Sequence, residues 1–443
     1  MLGKKQQKMG LWEAVSLAVG TMIGAGIFSV LGVGAQICGS NLPEAFALAA
    51  LISLTVAYSY AKLGSVYVSN AGPIEFILRG IGDNVITGTL SILMWFSYVI
   101  SISLFAKAFA GYFLALLHLH ESPMLTIIIE AFIIAFFTAL NFFGSRAVGK
   151  AEFWIVVIKL SVLLSFVAFG IWSINPEYLK PDLSPKGIIK TFYAASVLFL
   201  TYMGFGLITN ASENIENPKK NVPRAIYISI AIVAFVYVSV AITAVGNLGV
   251  EGLVKAKEYA LAEAAKPFLG EFGFTLVALG ALFSTSSAIN ATLYGGANVA
   301  YVLAKKGHLP DVFERKVWFG EPEGLYITAV LGFLFAAFFD LNGISSLISF
   351  TFLIIYIFVI ASHYRLAIRK KVDGNPALII FNFIVILTVL IILMDYQWKD
   401  SRESFWTSLA VVFVAFFVEY LYRKTTKRRF KERNKAHHLF KIL

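Results

Sequence analysis

The sequence predicts an all-α integral membrane protein of twelve transmembrane helices: a 5+5 inverted repeat with broken helices 1 and 6, plus two extra C-terminal helices. Three observations predict it. Of 443 residues, 58% are hydrophobic and 14% charged, with a mean hydropathy of +0.77, well outside the range of a soluble domain. With both termini on the cytoplasmic side, 27 of the 37 Lys and Arg fall in inward-facing segments and 8 in outward ones, Lys107 and Lys159 lying inside spans. That asymmetry is the positive-inside pattern of a plasma-membrane protein, and it accounts for the net charge of +11 without a nucleic-acid partner. The third observation is a matched pair of glycine interruptions, Gly24-Ala25-Gly26 in span 1 and Gly204-Phe205-Gly206 in span 6.

Apolar runs of about 20 residues, enough to cross about 30 Å of hydrocarbon, lie near 11–38, 44–68, 84–116, 123–143, 151–174, 187–212, 225–247, 272–303, 324–341, 344–364, 377–395 and 404–422. A short basic lead precedes span 1, and Gly39 to Pro43 makes an external turn into span 2. Ser69 to Asn84 mixes Ile74, Phe76, Ile77 and Ile81 with polar residues and reads as a cytoplasmic interfacial helix. The external loop from Gly249 to Gly270 carries Glu251, Lys255, Glu258, Glu263 and Lys266 at helical spacing, a short cap that can serve as a lid. Five spans that start inside end outside, so residues 187–364 repeat 11–174 upside down. Broken span 1 then matches broken span 6, the pattern of a midplane site in a secondary transporter. Residues 377–422 read as two appended helices and 423–443 as a basic cytoplasmic tail that can touch anionic lipid. The single cysteine, Cys38, excludes intrachain disulfides and a cysteine-built metal site, and no cleavable signal peptide is evident.

Glycine lowers helix stability by up to about 1 kcal/mol and leaves the backbone bare. Gly24 to Gly26 is therefore the weak point of span 1, although Gly20-x-x-x-Gly24 also fits a close-packing face. An opened turn offers N–H groups to a carboxylate and C=O groups to an ammonium, so the expected ligand is a small zwitterion. Lys159 lies nine residues into span 5, about 14 Å deep. An ammonium there needs acceptors, water or loss of its proton, which makes it a candidate proton carrier; the other reading is snorkelling to the cytoplasmic face. Lys107, nearer the outer end of span 3, fits snorkelling or a structural role better. In span 8, Ser284 and Ser287 share a face and can bond neighbouring helices or, with Asn290, form an oxygen cage for Na⁺ or an ammonium. Phe28, Phe199, Tyr202 and Phe205 flank the two breaks as candidate gates. His118 and His120 read as a solvated pair rather than a metal site. No mid-membrane pair of His, Asp or Glu suits hydrolysis and no Gly-x-x-x-x-Gly-Lys loop suits a nucleotide. The chain is thus expected not to be an enzyme or an ATP-driven pump and to need no cofactor.

Four ordered motifs resemble the amino acid-polyamine-organocation superfamily: Gly24-Ala-Gly-Ile-Phe28; Asn141-Phe-Phe-Gly-Ser-Arg-Ala-Val-Gly-Lys150 leading into Lys159; Tyr202-Met-Gly-Phe205 with Glu213-Asn-Ile-Glu-Asn-Pro-Lys-Lys-Asn-Val-Pro-Arg-Ala225; and Ala300-Tyr-Val-Leu-Ala-Lys-Lys-Gly-His-Leu-Pro310. The likeness spans essentially the whole chain and is closest to the archaeal proton-coupled members. The resemblance implies the leucine-transporter-type fold. It implies a substrate carboxylate at the N–H groups of Ala25, Gly26 and Ile27, beside Gly24. It implies an ammonium at carbonyls around Met22, Ile23, Phe199, Leu200 and Tyr202, with Met203 alongside, and Lys159 in contact with the Gly20 carbonyl and Ser284. Many members carry an acidic residue two positions after the span 6 glycine; here it is Gly206, so a role of that carboxylate is absent.

The function expected from these readings is a proton-coupled amino-acid symporter of broad, neutral specificity that works by alternating access. Its partners are an amino-acid substrate, protons and membrane lipids, and it is expected to work as a monomer. An exchanger of amino acids or amines, a sodium-coupled symporter and a non-transporting amino-acid-binding subunit are the alternatives.

Overall fold

The computed structural model describes residues 8–69, 72–119, 122–141, 148–305, 309, 311–317 and 322–426. His120, part of the 141–150 motif, part of the 300–310 motif and the tail beyond 426 lie outside the described residues, as does the side chain of Ala25.

The helices are α1 (Leu11–Ala25), α2 (Ile27–Cys38), α3 (Leu42–Val66), α4 (Pro73–Ile81), α5 (Val85–Leu116), α6 (Pro123–Asn141), α7 (Val148–Gly170) and α8 (Pro185–Leu198). They continue with α9 (Gly206–Asn210), α10 (Pro218–Ala256), α11 (Ala260–Glu263), α12 (Lys266–Lys305), α13 (Glu323–Phe338), α14 (Leu341–Ile368), α15 (Pro376–Asp400) and α16 (Arg402–Thr426). No strand occurs among the described residues, only the isolated bridges Met9 to Ile215 and Lys316 to Pro322. In lipid the backbone must bond to itself, and a helix does so within one segment.

Ten stretches are long and apolar enough to cross a membrane, with Ile27–Val66 and Pro218–Glu263 each counted whole. Two apolar helices, Leu11–Gly24 and Glu323–Phe338, are shorter. The first is short because span 1 is interrupted; the second, α13, has 16 residues, about 24 Å at 1.5 Å per residue. The chain is a multi-pass membrane protein.

The segment expected as an interfacial helix is α4, but it does not rest on lipid alone. Its Ile74, Phe76 and Ile77 are buried, with the Phe76 ring edge-on to Tyr60 at 5.8 Å and Gly80 pressed against Ser362 of α14. The segment from Gly249 to Gly270 is largely helical, as expected. α10 bends at Gly249, whose φ of 72° favours glycine, and a 3-10 turn, Lys257–Tyr259, leads into α11.

These elements hold the broken helices at both ends. At the α10–α11 end, a Cβ on Gly32 of α2 would lie 2.4 Å from the Lys257 carbonyl, so only glycine lets the cap approach this closely. Asn41 donates to the Asp182 carbonyl at 2.9 Å and to Thr191 at 2.8 Å, and accepts from the Asp182 N–H at 2.7 Å. In the loop before α8 the Ser184 hydroxyl and N–H beside Asp182 hold its carboxyl below the usual carboxylate range. At the opposite end, the Met9 N–H donates to the Asn214 carbonyl at 2.7 Å and the Glu216 N–H to the Met9 carbonyl at 2.8 Å. The Ser212 hydroxyl accepts from the Ser69 N–H at 3.0 Å and donates to the Ser69 carbonyl at 3.2 Å.

Candidate functional site

The first break is one residue wide. α1 runs through Gly24 to Ala25, Gly26 leaves the helix with φ −108° and ψ −90°, and α2 restarts with the Ser29 and Val30 N–H groups on the Gly26 carbonyl at 2.9 and 3.2 Å. The expected three-residue weak point is therefore narrower, because Gly24, like Gly20 a turn earlier, serves space instead. A Cβ on Gly20 would lie 2.3 Å from Val156 Cγ2 of α7, and one on Gly24 would lie 3.0 Å from Lys159 Nζ. The packing face read from Gly20 and Gly24 is thus real, and it is what lets α7 bring its lysine to α1.

The second break differs from its expected position. The chain from Phe199 to Phe205 is a 3-10 helix, whose tighter turns have poorer hydrogen-bond geometry than an α-helix. Gly206, read as part of the break, has helical φ −59° and ψ −27° and opens α9. Gly204 provides close approach: a Cβ there would lie 2.7 Å from both the N and Cγ of Met22. The interruption begins five residues before Gly204 and ends at Phe205, and Gly204, inside it, docks it against α1.

The two breaks meet directly. Met22, Ile23, Ile27 and Phe199 have no exposed surface, and Leu200, Tyr202 and Met203 are buried with them. The Tyr202 hydroxyl donates to the Phe46 carbonyl of α3 at 3.1 Å. Phe28 and Phe205, read as gates, are both buried but lie in different surroundings. The Phe28 carbonyl accepts from the Tyr112 hydroxyl of α5 at 2.9 Å. The Phe205 ring lies edge-on to Tyr60 at 5.4 Å and stacks on Tyr356 at 6.2 Å.

Lys159 donates from Nζ to the Gly20 carbonyl at 2.8 Å and is 1% exposed. It turns into the protein and does not snorkel. The Ser284 hydroxyl is buried and has no hydrogen-bond partner among the described residues. Ser284 instead brings its carbonyl to within 3.8 Å of the Cβ position over Gly24. Ser287 is buried, and the Asn290 Oδ1 accepts from Asn141 at 3.1 Å. The span 8 polar groups therefore split between the lysine's neighbourhood and a helix-to-helix bond. His118 is exposed.

Two residues of interest were missed in the sequence. Tyr237 of α10 places its hydroxyl 2.7 Å from the Met22 carbonyl, and Gly26 lies close enough that a Cβ there would be 2.5 Å from that hydroxyl. Glu130 of α6 has no exposed surface and pairs with Lys107 at 3.2 Å, so Lys107 does not reach outward for water alone. A lone acidic residue in an apolar run was the available signal for Glu130. Breaking a buried pair from one side costs about 3–5 kcal/mol, whereas replacing both partners by apolar groups is often neutral. Glu130→Leu is accordingly expected to lower the thermal unfolding temperature in detergent, and Lys107→Met with Glu130→Leu to recover most of the loss.

The amino acid permease family profile matches residues 9–418. The chain belongs to the amino acid permease family. It is thereby a transporter of the amino acid-polyamine-organocation superfamily and not an enzyme. An uncharacterized protein of Methanocaldococcus jannaschii is 59% identical over 426 residues, 96% of this chain and 98% of that one. The inner membrane transport protein YbaT of Escherichia coli is 33% identical over 400 residues, 90% of this permease and 92% of the relative. The methylthioribose transporter of Bacillus subtilis is 25% identical over 381 residues, 82% and 81% of the two chains.

Proposed function

We propose that this permease is a proton-coupled symporter of broad, neutral amino-acid specificity, with Lys159 as the proton-carrying group and the two helix breaks as the substrate site. The observation that carries the reading is the buried Lys159 ammonium on the Gly20 carbonyl, one helical turn from the end of α1 that packs on Gly204. A charge at that depth is a functional group by default. Protonated, Lys159 ties α7 to α1 by a charge-assisted bond; without its proton that bond weakens, and the two helices part more readily. Substrate supplies backbone-directed groups instead: its carboxylate to the N–H groups of Ala25, Gly26 and Ile27, its ammonium to carbonyls near Met22, Ile23, Phe199, Leu200 and Tyr202. Gly24 and Met203 border these positions, Ser284 and Ser287 flank the lysine, and Phe28 and Phe205 close the site. Only the state that the substrate binds better gains population, which links loading to closure.

The architecture proposed with it is twelve spans in a leucine-transporter-type 5+5 inverted repeat. Residues 11–174 and 187–364 form the halves, 377–422 two appended helices and 423–443 a cytoplasmic tail, in a plasma-membrane monomer with both termini inside. The contacts at both ends of the broken helices support an occluded form. The amino-acid cargo rests on the family's description; the name of the methylthioribose relative makes a different small polar cargo the second reading.

The test is uptake of labelled neutral amino acids into proteoliposomes under an imposed pH gradient. Accumulation that follows the pH gradient and ignores Na⁺ is expected. Uptake driven by Na⁺ alone, or counterflow with no pH dependence, rejects proton symport in favour of sodium coupling or exchange. Binding without flux points to a non-transporting subunit, and methylthioribose uptake in place of amino acids to the second reading.

A further inference from the structure

Tyr237 reaches from α10 into the junction of the two breaks and has no exposed surface. Its ring is held edge-on by Phe46 at 5.5 Å and Tyr202 at 5.3 Å, so the hydroxyl has a set position. It donates to the Met22 carbonyl at 2.7 Å, and the Thr201 carbonyl lies 3.4 Å from the same oxygen. Met22 belongs to the last turn of α1, where carbonyls run out of intrahelical partners, and Thr201 belongs to the 3-10 stretch of the other break. One carbonyl from each break thus converges on a single donor. A phenol has one proton to give, whereas an ammonium has three, and its bonds to carbonyls are charge-assisted and stronger.

We propose that Tyr237 is a built-in placeholder for the substrate's amino group, an inference that rests on reading the breaks as the amino-acid site. In the empty carrier its hydroxyl clips the two breaks together. An incoming amino group takes over the Met22 and Thr201 carbonyls and releases the clip. Tyr237 therefore acts as a positioning residue with two effects: it competes with substrate for an acceptor, and it resists parting of the breaks when no substrate is present. Compounds lacking the amino group leave the clip closed.

Tyr237→Phe tests this in the full-length protein, because it keeps the ring and removes only the hydroxyl. With the competitor gone, the KM for a labelled neutral amino acid is expected to fall about three- to tenfold, the worth of one hydrogen bond. Substrate-independent proton leak into the proteoliposomes is expected to rise severalfold. A raised KM makes the hydroxyl a direct substrate ligand and overturns the proposal, as does an unchanged KM with unchanged leak. Absence of any amino-acid uptake by the wild type rejects the transport reading itself, whereas normal wild-type uptake with an unaltered variant rejects the clip alone. Should Tyr237→Phe fail to fold, infrared difference spectra of the wild type with ring-labelled tyrosine supply the second measurement. A substrate-induced shift of a phenol C–O stretch is expected, and no shift overturns the proposal.

Discussion

Lys159→Met is expected to remove pH-gradient-driven uptake while leaving a folded protein. The side chain donates to the Gly20 carbonyl at 2.8 Å and is 1% exposed, so methionine fills nearly the same volume without a charge. The α1 to α7 contact then loses that hydrogen bond and keeps its packing, with Val156 still against Gly20. Protonation no longer distinguishes the two states, and the coupling between proton and substrate disappears. Coupling free energies of about 1–3 kcal/mol correspond to roughly 5- to 150-fold in affinity, and pH-driven accumulation should fall by a factor in that range. Counterflow at equal pH, which needs no proton movement, should persist. The measurement is paired uptake with and without the gradient in one proteoliposome preparation; a variant that still follows the gradient removes Lys159 from the coupling.

Gly204→Ala is expected to abolish uptake where Gly206→Ala is tolerated. The two glycines are two residues apart and read alike in sequence, yet their surroundings differ. A Cβ on Gly204 would stand 2.7 Å from the Met22 backbone nitrogen, and that atom moves only if α1 moves. On Gly206 the nearest atom is Tyr60 Cε1 at 3.6 Å, an ordinary contact. Overpacking of this kind costs about 1–3 kcal/mol, and here it separates the two breaks. Alanine at 206 should leave uptake within about twofold of wild type and favour the helical φ and ψ that the position already has. Equal loss in both variants, measured at matched protein incorporation, rejects the division of labour between these glycines.

The fold class was legible because the signals are local. Runs of apolar residues and the spacing of Gly249 to Gly270 each report on their own segment, and most helices recur within a few residues of the expected bounds, although α10 starts seven residues before the run at 225–247. The candidate site was legible only in part. Lys159 stood out as a charge in an apolar run, but its bond to Gly20 came from the family resemblance and not from spacing. The second break was placed only in part: Gly204 and Phe205 belong to the 3-10 stretch Phe199 to Phe205, but Gly206 is an ordinary helix start, and Phe199 to Met203, where the stretch begins, have no breaking preference of their own. Tyr237 is one of 19 tyrosines, and its partner Met22 is 215 residues away.

By itself the sequence determined a helical, membrane-embedded transporter. Composition and periodicity dictate how each segment meets lipid, and a backbone in lipid has few ways to satisfy its own hydrogen bonds. Tertiary structure alone decided which glycine breaks a helix and which makes room, which way Lys159 turns, and what stands at the junction of the breaks. Those outcomes depend on distances of 2 to 4 Å between residues far apart in the chain, and such distances exist only once the helices have packed.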